Sequence, residues 1–148
     1  MIYTSSYNAW QTRYYANPVS ISADRGKDAG FKGDSFIDLA PKREFWRKWK
    51  DNRGIIPDEE NNRFYVREYY NQVLSHLDPL KIYEALDGSV LLCYESNMEF
   101  CHRHIVAEWL ESTLNVEILE VTAKDRKLEI VGRPDYILDY LEDVMDIK

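Results

Sequence analysis

Val90-Leu91-Leu92-Cys93-Tyr94-Glu95 runs through a five-residue loop into Cys101-His102-Arg103-His104-Ile105-Val106-Ala107-Glu108-Trp109-Leu110. From Ser89 to Tyr94 apolar residues follow one another almost without polar alternation, the pattern of a strand covered on both faces. From Cys101 to Thr113, Ile105, Val106, Trp109 and Leu110 fall on one helical stripe. A buried strand feeding a helix in this way is a unit of a parallel sheet. Ligands in such sheets sit beyond the carboxyl ends of the strands, so the loop after Tyr94 becomes a place to look for function.

Working outward, Ile2 to Ser5 reads as a first strand, followed by an aromatic stretch from Trp10 to Tyr15 that Asn17-Pro18 punctuates. Val19-Ser20-Ile21-Ser22 alternates as a second strand and passes into a long loop beyond Gly30 and Gly33, and long structureless loops are more often functional than idle. Lys42 to Lys50 is an amphipathic helix carrying Phe45, Trp46 and Trp49. Asp51 to Asn62 reads as a loop, and Arg63 to Leu77 as a helix on the spacing of Val66, Tyr69, Tyr70, Val73, Leu74 and Leu77. Asp78-Pro79 supplies an N-cap and an N1 proline for a helix stopping at Asp87-Gly88. Val116 to Val121 and Lys127 to Val131 form a hairpin, and Pro134 opens a last helix with Ile137, Leu141 and Val144 facing inward. Strands separated by helices point to a three-layer α/β sandwich with a mostly parallel central sheet, plus a C-terminal hairpin and helix. The expectation is a single domain over 1–148, with 116–148 packed on the preceding core.

The composition agrees. The chain has 148 residues, 45% apolar and 30% charged, with few Gly or Pro, so it can bury a core without a metal or disulfide staple. Apolar runs of a few residues exclude a membrane-spanning helix. Met1-Ile2-Tyr3-Thr4 reads directly as a strand, without signal-peptide character, so a cytoplasmic protein with Cys93 and Cys101 reduced is expected. The formal charge of −7 argues against a surface that binds DNA throughout. Its distribution is uneven: Arg25 to Lys50 holds eight bases against four acids, and Glu108 to Lys148 eleven acids against five bases. The basic segment admits either solvated helix faces or an anion site.

Four chemistries compete at the strand–helix junction. Cys101 at a helix N-terminus, beside His102, His104 and Arg103, has the surroundings that activate a thiol, although free cysteines are usually buried and inert. Cys93, Cys101, His102 and His104 offer metal-ligand types without the close Cys-x2-4-Cys spacing of structural zinc sites, so no metal is assigned. A Cys93–Cys101 disulfide needs a suitable distance and an oxidising compartment, and the sequence indicates neither. Glu95 at a strand end is either an ion-pair partner, most simply of Arg103, or a base or nucleophile. No G-x-G-x-x-G, Walker loop or G-x-S-x-G is present, and no cofactor is implied.

The pattern of a strand ending Leu92-Cys93-Tyr94-Glu95, a short loop, and Cys101-His102-Arg103 leading a helix with Ala107-Glu108-Trp109-Leu110 resembles the domain-of-unknown-function 488 (DUF488) family of prokaryotic and phage proteins. Ile2-Tyr3-Thr4-Ser5-Ser6-Tyr7, Val19-Ser20-Ile21-Ser22 and Leu39-Ala40-Pro41-Lys42 extend the likeness over roughly residues 1–120. The resemblance implies a Rossmann-like fold and a pocket around Cys93, Glu95, Cys101, His102 and Arg103; it names no activity. The tail from Val116 departs from the short family core, taken as 1–115.

Parallel strands would converge Ser5, Ser6, Tyr7, Ser22 and Arg25 on Glu95 and the helix start, a crevice for a ligand with hydroxyls and negative charge. The expected ligand-binding set is therefore Ser5, Ser6, Tyr7, Ser22, Arg25 and Arg103, and the expected catalytic set Glu95, Cys101 and His102. Glu95 would be oriented by Arg103, and His102, with an ordinary pKa of about 6.5, would carry the proton. The ligand class is a nucleotide, nucleoside or nucleic-acid fragment. Capture of such a ligand without turnover is the alternative, and a protein-interaction module a weaker one. Nucleic acid is not the favoured partner, because Phe45, Trp46 and Trp49 share one helical stripe and read as core rather than as a stacking surface. The oligomeric state is not legible.

Overall fold

The computed structural model describes residues 1–145. Six strands form one sheet in the order β3-β2-β4-β1-β5-β6. β1 (Tyr3–Ser6), β2 (Asn17–Ser20), β3 (Asp34–Ser35), β4 (Ser89–Cys93) and β5 (Leu119–Lys124) are parallel to their neighbours. β6 (Lys127–Ile130) returns antiparallel to β5. The mixed α/β architecture and mostly parallel sheet match the sequence reading. β4, all five residues of it buried, lies between β2 and β1, where a continuous apolar run belongs.

The five α-helices are α1 (Arg43–Asn52), α2 (Asp58–Gln72), α3 (Pro79–Leu86), α4 (His102–Leu114) and α5 (Ile137–Met145). Residues from all five share one apolar cluster with Ile2, Val19, Ile21, Leu91 and Ile118 of the sheet region. The opposite sheet face, marked by Val90, Leu92 and Val121, meets a smaller cluster of Tyr3, Tyr7, Ala16, Phe31, Leu119 and Leu128. The third layer is thus built from loops and 3₁₀ turns at Trp10–Tyr14 and Lys27–Ala29, not from α-helices. Among the described residues no helix is long and apolar enough to cross a membrane.

Several boundaries differ from expectation for local physical reasons. β2 begins two residues early, at Asn17; Pro18 lacks an N–H to donate, and β3 pairs only with Val19 and Ser20, so none is wanted there. α2 starts at Asp58, inside the expected loop, because Asp58, Glu59 and Glu60 after Pro57 are acids of a helical first turn. α3 has the expected cap, the Asp78 carboxylate accepting the Leu80 N–H at 3.0 Å. The β5–β6 turn places Asp125 and Arg126 at φ 52° and 63°, the left-handed pair that a two-residue hairpin requires. Gln11 accepts the Arg126 N–H at 3.0 Å and helps to hold this turn without a glycine.

The chain beyond Asn115 is fastened to the helical layer. Arg133 donates to Glu108 at 2.8 Å, to Glu111 at 2.6 Å and to the Ile118 carbonyl at 2.7 Å. Ile137 and Leu141 of α5 are fully buried in the main cluster. Leu141→Ala is therefore expected to cost about 2–5 kcal/mol, read from urea unfolding. A chain ending at Asn115 should show no cooperative transition; a native-like transition would show that α5 is dispensable.

Candidate functional site

The connections at the carboxyl end of the sheet part in opposite directions. From β1 the chain crosses to the face covered by Trp10–Tyr14, whereas from β4 it turns into α4 on the helical face. β1 and β4 are neighbours, so their ends diverge around a crevice, the arrangement at which open α/β sheets hold ligands.

On the non-helical side this crevice opens into a cavity of about 280 Å³ whose walls include Tyr7, Trp10, Arg13, Phe31 and Leu92. Phe31 also borders a second cleft of about 450 Å³ along the sheet edge, where Arg25, Lys27 and Lys32 supply positive charge. Tyr7 is held from two sides: its hydroxyl donates to Ser22 Oγ at 2.9 Å and accepts from Ser20 Oγ at 2.6 Å, since one phenol proton cannot serve both. Its ring packs 4.8 Å from that of Tyr94 and 5.6 Å from that of Phe31, centroid to centroid. Tyr94 in turn donates to the Asp24 carboxylate, which also accepts the Gly26 N–H at 2.8 Å and the Asp28 N–H at 3.2 Å. Burial works to raise the Asp24 pKa, but these donors outweigh it and leave the carboxyl below its usual range. Gly26 is required: at φ 80° an added Cβ would come within 2.7 Å of Phe31 Cβ.

On the helical side the crevice floor is sealed by a charged block. Arg103 is 0% exposed and forks onto Glu120, Nε to Oε1 at 3.1 Å and Nη2 to Oε2 at 2.7 Å. Its remaining Nη1 donates to the Glu95 carbonyl at 2.8 Å and to Cys93 Sγ at 3.2 Å, while Thr4 donates to Glu120 at 2.6 Å. His104 is buried beside this pair, 3.8 Å from the Glu120 carboxylate, and among the described residues neither ring nitrogen has a hydrogen-bond partner. Burial first, then Arg103 and Arg133, push its pKa down to about 3.

The residues singled out by sequence divide between these levels. Tyr7 lines the cavity and Arg25 the basic cleft. Ser6 sits at the end of β1, where its Oγ accepts the Asn8 N–H at 3.1 Å. Ser22 orients Tyr7, and Ser5 is spent on the Val121 carbonyl at 2.6 Å. Arg103 is gripped by Glu120; only the backbone of Glu95 touches it, so the expected Arg103–Glu95 ion pair is replaced by one with β5. The Glu95 side chain is half-buried, lies in neither cavity, and makes no side-chain hydrogen bond among the described residues. Burial raises its pKa, with its own N–H and Arg103 acting against the rise. His102 Nε2 lies 2.8 Å from the Ile21 carbonyl, which can only accept, so Nε2 carries the proton. Burial drives the His102 pKa down to about 4, a different setting from that of a carrier titrating near neutrality. Cys93 and Cys101, expected as free thiols, are joined as a disulfide. Their sulfurs and His102 bring three ligand atoms within 4.8 Å of one another.

A family model described as the active DUF488-N3 subclade, DUF488-N3a, matches residues 5–114. The chain belongs to the DUF488 family. No curated protein and no solved structure is similar enough to match it. The DUF488 match contains Tyr7, Asp24, Arg25, Cys93, Glu95, Cys101, His102 and Arg103, and ends before Glu120. The Arg103 partner thus comes from outside the matched residues. The sequence carries no signal for it: Leu119, Val121 and Ala123 alternate with Glu120, Thr122 and Lys124, a pattern that reads as Glu120 on the solvent face, whereas the structure buries it. Trp10, Arg13 and Phe31 gave no signal either, because nothing in their spacing shows which sheet face the chain will cross.

Glu120→Gln leaves the Arg103 charge buried without its counter-ion and should cost about 3–5 kcal/mol in denaturant unfolding. Joint replacement by Arg103→Met and Glu120→Leu should cost less than Glu120→Gln alone. An unchanged midpoint for Glu120→Gln would show that the pair does not hold the junction.

Proposed function

We propose that this chain binds a nucleotide- or nucleoside-class ligand bearing an anionic group at the β1–β4 crevice, and acts on it. One observation carries the reading: an aromatic cavity and a basic cleft adjoin across Phe31 at the strand ends. A flat base stacks against Trp10 and Tyr7, and its phosphate or other anion is met by Arg25, Lys27 and Lys32. The cavity, about 280 Å³, is near the lower end of the range for small-molecule sites and takes a base rather than a whole dinucleotide. Arg13 stands 5.6 Å over the Trp10 ring, so a stacked base would meet a cation–π pair already in place.

The subclade model that matches the chain is described as active, which favours turnover over capture. Glu95 is the group assigned to the reaction: it lines neither cavity, but it follows Tyr94 at the β4 strand end, so a ligand reaching from the aromatic cavity toward β4 would meet a carboxylate that no other side chain engages among the described residues. Capture without turnover remains the second reading, and a specific observation favours it: Cys101 and His102 are buried and Arg103 is already paired.

The test is incubation of the chain with a pool of nucleotides and nucleosides, followed by mass analysis of bound and free fractions. Consumption that Glu95→Gln abolishes, with binding retained, is the expected result. Intact ligand recovered from the protein would convert the proposal to capture, and the absence of both consumption and retention would refute both readings. Trp10→Ala, at a residue 51% exposed and so of small structural consequence, should weaken binding about 5- to 150-fold, since stacking contributes ~1–3 kcal/mol per base.

A further inference from the structure

We propose that, once Cys93 and Cys101 are reduced, their sulfurs and His102 Nδ1 form a three-ligand site for Zn²⁺ at the junction of β4 and α4. The inference is independent of the nucleotide reading.

Four features of the geometry carry it. First, the two sulfurs and one ring nitrogen of His102 lie within 4.8 Å of one another. Zinc bonds of ~2.3 Å to sulfur and ~2.0–2.1 Å to nitrogen put tetrahedral ligands roughly 3.5–3.8 Å apart, so once reduction breaks the S–S bond the two sulfurs part to admit the ion and the imidazole closes on it by about 1 Å at most. Second, the Cα atoms of Cys93 and Cys101 are 7.4 Å apart, wider than the usual ~4.4–6.8 Å of a disulfide but no obstacle to two ligands of one cation. Third, His102 is set in the correct tautomer. Its Nε2–H is committed to the Ile21 carbonyl at 2.8 Å, which leaves the Nδ1 lone pair for a metal, the outer-sphere arrangement that orients ligating histidines.

Fourth, the charges balance. Cys101 is the N-cap of α4, where free N–H groups favour a thiolate, and Arg103 Nη1 stands 3.2 Å from Cys93 Sγ as a donor to the other. Arg103 and Glu120 cancel, so two thiolates and a divalent cation make a neutral buried unit. Soft thiolate ligands with an imidazole select zinc over the hard cations. Three protein ligands leave a fourth position for water or another small donor.

The steps balance. A dithiol reduces the Cys93–Cys101 bond with two electrons and two protons and is itself oxidised to a disulfide. Coordination then expels the two thiol protons as Zn²⁺ binds. The disulfide and zinc forms exclude one another, because each needs both sulfurs.

The test uses the full chain, reduced with a dithiol, freed of it under anaerobic conditions and titrated with Co²⁺ and then Zn²⁺. The reduced chain should take up one equivalent of Co²⁺ with a thiolate charge-transfer band and tetrahedral d–d absorption, and Zn²⁺ should displace it. The oxidised chain should give neither signal. His102→Gln should bind Co²⁺ more than ~100-fold more weakly, beyond the 10–100-fold cost of losing an outer-sphere partner. Cys101→Ser should lose one thiolate contribution, with circular dichroism checking that each variant is folded. A reduced native chain without a thiolate band overturns the proposal whether or not the variants fold, and native-like binding by folded His102→Gln overturns the assignment of that ligand.

Discussion

A guanidinium with no access to water has to be met by a carboxylate, and in this protein that requirement fastens four elements at one point. Arg103 lies in the first turn of α4, Glu120 on β5, Thr4 on β1, and the Glu95 carbonyl on the loop after β4. Desolvating both charges is expensive, and the bidentate geometry with its added donors is what makes the arrangement tenable. Losing either partner leaves a buried charge, so the strand-to-helix junction is fixed by a contact that tolerates little variation. Such a junction suits a site whose neighbouring groups must keep their positions.

The clasp also divides the crevice. Below it, on the helical side, Cys93, Cys101, His102 and His104 are sealed, and their chemistry is thiol, disulfide or metal chemistry away from bulk solvent. Above it, Tyr7, Tyr94 and Phe31 form an aromatic wall whose polar ends are tied by Ser20, Ser22 and Asp24, and this wall faces open space. Glu95 lines neither cavity, and the cations whose charges act on it, Arg103 and Lys50, lie on the helical side. The non-helical face provides the volume because its cover is 3₁₀ turns and loops, which bury less of the sheet than α-helices would.

What the sequence showed and what it hid follow from the range of the interactions. The β4–α4 unit, the Asp78 cap and the inward residues of α5 were legible because each depends on neighbours within a few positions. β3 was not, since Asp34-Ser35 is two residues held only by backbone pairing to β2. The start of α2 was hidden because acids that favour a helix N-terminus are also the composition of a loop. The candidate site was half legible. Its strand-end residues could be placed once the sheet was read as parallel, but the Arg103 partner lies 17 residues away on another strand. That separation is why a local Arg103–Glu95 pair looked sufficient. The cavity walls depended on which face the chain crosses after β1 and β2, and that choice is made by packing, not periodicity.

The aromatic, non-helical side of the β1–β4 crevice is the proposed ligand site. The most direct measurement is backbone amide chemical-shift mapping during titration with a nucleoside monophosphate. Saturable shifts are expected at Tyr7, Asn8, Trp10, Arg13 and Phe31, continuing to Arg25 and Lys32. Saturating shifts confined to α1, α2 or α5, or no saturable shift at all, would contradict it.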